Sequence, residues 1–161
     1  MKKYCIALAA ACLFAAVFIA RTQARPAAIL TYQARFDGSD IVVIANPIQK
    51  TNDTNEKSLM LNIPSTGVET AFAVSLILKG DKALKTFNLH HYRADSQKTV
   101  MVNGPNFISF RMPGDFRPSE PQTLYSYLFF LVRESDGRYA PAGGQIDAAD
   151  SVQVIQFQPN L

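Results

Sequence analysis

His90 and His91 are the only histidines of the chain, and histidine is the side chain best suited to moving protons or holding a metal near neutral pH. They sit in Thr86-Phe87-Asn88-Leu89-His90-His91-Tyr92, which alternates like a strand. Neighbours in a strand point to opposite faces, so the pair cannot chelate one ion without a bulge. The expected arrangement is one surface histidine and one packed or hydrogen-bonded histidine. A Ser-His-Asp site is defined by geometry rather than spacing, yet no serine stands in a Gly-x-Ser-x-Gly elbow. Asp136, Asp147 and Asp150 lack the alternating ligands and closing Glu of a calcium hand. Asp136 reads as a turn residue and Asp147 as the cap of a short helix. Gly143-Gly144 lacks the Gly-Lys-Ser/Thr ending of a phosphate loop. The residues therefore predict no catalytic site, no metal site and no cofactor. An enzyme would need a site gathered from scattered groups such as His90, Asp95 and Arg111.

Binding asks for less. Residues 112–122 carry Pro113, Pro118 and Pro121 with Gly114, the composition of a long irregular loop. Exposed loops on a rigid frame commonly carry recognition, so Phe116, Arg117 and Glu120 are the expected partner contacts. Phe107, Phe110, Phe116, Tyr125, Tyr127, Phe129, Phe130 and Tyr139 could line a ligand cleft, but such a set usually forms a core.

The elements that must position these residues read as strands and turns. Tyr127-Leu128-Phe129-Phe130-Leu131-Val132 is a continuous apolar run, which predicts a strand covered on both faces. Ser135-Asp136-Gly137 supplies a tight turn, and Arg138-Tyr139-Ala140 begins a return ended by Pro141. Ile41 to Ala45 predicts a second doubly buried strand, stopped at Asn46-Pro47. Residues 25–38 read as an extended lead-in, and 49–58, wholly polar, as a solvated loop. Leu59 to Ile63 suggests a short edge strand before Pro64-Ser65-Thr66-Gly67. Val68 to Lys79 alternates, with Phe72, Val74, Leu76 and Leu78 on one face. Val100-Met101-Val102 and Phe107 to Phe110 flank a turn; Asp147 to Asp150 suggests one helical turn, and Val152 to Phe157 a last strand. The fold class is all-β, a small OB-like barrel of five to seven strands closed to remove its edges; a β-sandwich is the alternative.

Ser39-Asp40-Ile41-Val42-Val43-Ile44-Ala45, then Phe72-x-Val74 leading to Leu78-Lys79-Gly80, then Tyr127 to Leu131 ending at Asp136-Gly137-Arg138-Tyr139, resembles the strand order of netrin-like modules. These include the tissue inhibitors of metalloproteinases, whose fold is an OB-type five-stranded barrel. The resemblance spans roughly residues 40–144 and implies the barrel. It does not imply the inhibitor activity, which needs an amino-terminal cysteine on the target's zinc and further cysteines to staple the module.

Cysteine is confined to Cys5 and Cys12, inside a leader. Met1-Lys2-Lys3 is positive, Tyr4 to Ala20 is uncharged and apolar, and Thr22-Gln23-Ala24 offers a cleavage site before Arg25. This layout predicts a signal peptide over residues 1–24 and a secreted or periplasmic protein. The alternatives are an uncleaved anchor through residues 4–20 and lipidation at Cys12. The leader holds Lys2, Lys3 and Arg21 and no acid, so cleavage leaves 13 basic residues balanced by 13 acidic ones. A nucleic-acid binder shows a clustered basic excess, and that class is excluded. The remaining domain, residues 39–161, must be held by its core alone.

The expected function is that of an exported, non-enzymatic module binding a protein or an envelope component. A carrier with an apolar barrel interior is the alternative, and a hydrolase assembled from scattered residues a more remote one. The membrane enters only if the leader is retained.

Overall fold

A computed structural model of the chain describes residues 31–95, 104–112 and 124–157. The leader and the expected contacts Phe116, Arg117 and Glu120 lie outside the described residues, as does Val100-Met101-Val102. The described chain opens with helix α1 (Tyr32–Gly38), followed by strands β1 (Ile41–Pro47), β2 (Asn52–Met60), β3 (Ile63–Lys79), β4 (Thr86–Ala94), β5 (Leu124–Arg133) and β6 (Tyr139–Pro141). A 3-10 turn (Ala148–Ser151) leads into β7 (Val152–Phe157).

Five strands close on themselves in the order β1-β3-β4-β6-β5 and back to β1. Neighbours run antiparallel except β4 and β6, which meet in parallel at Leu89 and Tyr139. β2 adds to β3 and β7 to β5, outside the closed ring. The result is a small OB-like barrel with two extra strands, and the sandwich alternative falls away. Phe72, Phe87 and Phe129 fill the interior: Phe72 stacks on Phe87 at 5.3 Å and meets the edge of Phe129 at 4.7 Å. Among the described residues no helix is long and apolar enough to cross a membrane.

The apolar runs behave as their composition dictates. Ile41, Val42, Val43 and Ala45 are buried in β1, and Phe129, Phe130 and Leu131 in β5. The β5–β6 turn closes with Gly137 at φ 92°, and the Gly137 amide donates to the Glu134 carbonyl at 3.1 Å. The 3-10 turn also falls where expected, but Asp147 at its N-cap makes no capping hydrogen bond with its side chain.

Several expectations are corrected. The lead-in is not extended throughout, because α1 occupies residues 32–38. Thr31 caps it by accepting from the Ala34 amide at 3.2 Å, and Lys79 Nζ donates to the Phe36 and Asp37 carbonyls at 2.7 and 3.0 Å. A cation on the last carbonyls suits the negative end of a helix.

The polar stretch 49–58 is largely strand β2 rather than a loop. Its hairpin to β3 turns at Leu61 and Asn62, both with positive φ, as in a two-residue primed turn. The expected edge strand over 59–63 is therefore divided: Leu59 and Met60 end β2, and Ile63 opens β3, which runs on through Pro64 to Gly67.

Further along β3, register shifts against β1 break the alternation. Val74 and Ile77 pack on the core, while Leu76 and Leu78 face out at 51% and 46% exposure. Phe107 to Phe110 forms no strand; that segment is tied to the end of the chain by Asn106 N to Ile146 O (2.8 Å) and Ala149 N to Asn106 O (3.0 Å).

Candidate functional site

His90 and His91 point to opposite faces of β4, as alternation requires. Both are buried, at 5% and 3% exposure, which corrects the expectation of one at the surface. The difference lies in what covers each ring.

His90 faces outward from the barrel, beneath side chains from three other elements. Its Nδ1 lies 2.9 Å from Glu134 Oε2, and its Nε2 lies 2.8 Å from Glu56 Oε2. The Nδ1 contact is a hydrogen bond, whereas the Nε2 approach makes none.

Glu56 reaches this position because β2 bulges between Asp53 and Lys57, with Asn55 at φ 64°. Glu69 comes from β3 directly opposite His90, and Glu134 from the residue just after β5.

Arg138, entering β6, sits among the acids. Its Nη1 lies 3.1 Å from both Glu56 Oε1 and Glu69 Oε1, and its Nε lies 2.7 Å from Asp136 Oδ2 and 3.5 Å from Glu134 Oε2. Burial opposes its charge, but hydrogen bonds to Glu69, Glu56 and Asp136 outweigh that and raise its pKa. The same turn holds the Asp136 carboxyl below its usual range, chiefly through the Arg138 amide. Tyr92 donates to Glu56 at 3.4 Å, and burial followed by that carboxylate raises its phenol. Four carboxylates thus surround one guanidinium and one imidazole. The contacts make the cluster a network of ion pairs, and among the described residues no three His, Cys, Asp or Glu side chains are placed to hold a metal ion.

His91 faces inward. Its Nε2 meets Thr70 Oγ1 at 3.1 Å, Thr70 meets Thr51 Oγ1 at 2.8 Å, and its ring stands edge-on to Phe110 at 5.4 Å. Nδ1 has no hydrogen-bond partner. Burial, then the neighbouring His90, pulls its pKa down from 6.5 to about 4 against the opposing Tyr92 backbone, so the ring is neutral at pH 7. It lines a cleft of about 550 Å³ at one mouth of the barrel, with Thr51, Val68, Arg93, Asp95, Phe107 and Phe110.

The residues of the scattered enzyme set each have partners of their own. His90 engages Glu56 and Glu134, Asp95 takes Thr66 and Lys57, and Arg111 bonds Tyr125. Of the aromatic set, Tyr127 and Phe129 belong to the core with Phe110, Tyr125 and Tyr139 packed against it. Phe130 faces the other way, 6.1 Å from Tyr32 of α1. Glu56, Glu69, Glu134 and Arg138 were not singled out by sequence reasoning. The signal available was Gly67, a lone glycine inside a strand, which marks a bulge or a close approach. No protein-family model and no curated protein matches the chain.

Proposed function

We propose that this chain is an exported, non-enzymatic domain that binds another protein or an envelope component, and that it does so through the outer face of β3 and β4. The observation that carries the reading is the excess of acid there: Glu56, Glu69, Glu134 and Asp136 against Arg138 and His90. These acids are 28% to 48% exposed, within reach of a partner's cations. The face lies between the β2 bulge and the β5–β6 turn, and in OB-like barrels the corresponding strands and flanking loops are a common place for ligands. That is an analogy of fold, and the acid content is what selects a cationic partner over nucleic acid.

The non-enzymatic reading is supported by His90, whose two nitrogens face carboxylates rather than a hydroxyl it could activate. The filled interior counts against an apolar carrier. The netrin-like resemblance enters the proposal at the level of the barrel only, and Phe116, Arg117 and Glu120 remain contacts proposed from sequence.

The test is titration of the full chain with an arginine- and lysine-rich peptide and with a glutamate-rich peptide of equal length. Binding of the basic peptide that weakens with salt and in Glu69→Gln supports the reading. Equal binding of both peptides, or indifference to Glu69→Gln, removes it.

A further inference from the structure

The cleft at the barrel mouth is separate from the acidic face and has its own chemistry. Its volume, about 550 Å³, falls within the roughly 300–1,000 Å³ typical of small-molecule sites. Val68, Phe107, Ile108 and Phe110 provide apolar walls, and Thr51, Ser109, Arg93 and Asp95 provide hydrogen-bonding groups.

Its charges are already answered from outside. Arg93 Nη2 grips Asp53 Oδ1 and Oδ2 at 3.0 and 2.7 Å, and Asp95 accepts from Thr66 with Lys57 Nζ at 3.4 Å. His91 adds a neutral ring. A charged ligand would therefore find no uncompensated opposite charge, whereas a neutral one avoids the larger cost of desolvating a charge.

Two features ask for hydroxyl groups. The Thr51–Thr70–His91 chain can reverse its direction of donation, because each hydroxyl both gives and accepts. It therefore presents Thr51 as donor or acceptor according to need. His91 Nδ1, in a ring only 3% exposed, makes no well-formed hydrogen bond and has capacity for one more. Aromatic faces carry negative charge density that suits the polarised C–H groups of a sugar ring, and Phe107 and Phe110 supply such rings beside the polar groups.

We propose that this cleft binds a neutral saccharide, seated on Phe107 and Phe110 and hydrogen-bonded by Thr51, Arg93 and Asp95. Arg93 has five N–H donors and Asp95 about four lone-pair sites, so each retains capacity for a ligand beyond its present partners.

The test uses the isotope-labelled full chain titrated with glucose, galactose, N-acetylglucosamine and their β-1,4-linked disaccharides, read by amide shifts. Saturable shifts at Thr51, Val68, His91 and Phe107 are expected for at least one sugar. Phe107→Ala and Arg93→Ala, each with a well-dispersed spectrum, should weaken it about tenfold. Glu69→Gln should leave it unchanged, which separates this site from the acidic face. Absence of shifts for every sugar overturns the proposal, and so does phenol shifting the cleft residues where no sugar does.

Discussion

Gly67 lies directly under the β2 bulge: a Cβ at this position would stand 2.9 Å from Glu56 Cβ and 2.6 Å from Thr54 Oγ1. The missing side chain is what lets the bulge settle onto β3 and carry Glu56 to His90.

Gly67→Ala should accordingly lift the bulge. Overpacking of this kind costs about 1–3 kcal/mol, measurable by urea unfolding. The His90 ring signals should move at the same time, since Glu56 is displaced. Unchanged stability together with unchanged ring signals would dissociate the glycine from the cluster.

Removing the guanidinium should hurt more at low salt than at high. In Arg138→Met, Glu56, Glu69, Glu134 and Asp136 lose their shared cation and repel one another. Because all four are partly exposed, a loss of roughly 1–3 kcal/mol is expected at low ionic strength. Screening should recover part of it near 1 M salt. A loss independent of salt would assign the role of Arg138 to packing.

His91 makes stability depend on pH in a defined window. Its folded pKa of about 4 lies below the 6.5 of the unfolded chain. Above pH 6.5 neither state binds the proton, and the group contributes nothing. As pH falls from 6.5 to 4 the unfolded chain takes up the proton first, so stability drops, by about 3 kcal/mol in all, and levels off below 4. Asp95 and Asp136, both held below the usual carboxylate range, lose their contribution only at lower pH. Urea unfolding of the native chain minus His91→Phe across pH 4 to 7 isolates the step; a flat difference would contradict it.

Phe72 is the centre of the aromatic interior. It is fully buried and touches the rings of Phe87, Phe110 and Phe129. Phe72→Ala should cost about 3–5 kcal/mol by chemical denaturation. A cost under 1 kcal/mol would mean that the barrel collapses to fill the space.

What could be read from the chain alone follows burial. Ile41 to Ala45 and Tyr127 to Val132 announce themselves because a strand covered on both faces has to be apolar throughout. Gly137 announces its turn because few other residues take that backbone angle. β2 stayed hidden for the converse reason: an edge strand with one face in water can be spelled Asn-Asp-Thr-Asn-Glu-Lys-Ser and resemble a loop. Helix α1 spans too few residues to show a period, and its stability comes partly from Lys79, far along the chain. The acidic cluster joins Glu56, Glu69, His90 and Glu134 across separate strands, a proximity created by register and a bulge. The two histidines could be assigned to opposite faces but not to their coverings, because β4 cannot reveal what lies above it.

β6 is three residues long, and its parallel contact with β4 is a single register pair. β1 to β4 alone therefore make an unfinished sheet, and the ring cannot join until residues 139–141 are in place. Most of the polypeptide must wait on a late, distant piece, the kind of long-range pairing that slows folding. Until that piece arrives, Phe72 and Phe87 lack the Phe129 and Tyr139 rings that cover them in the closed barrel.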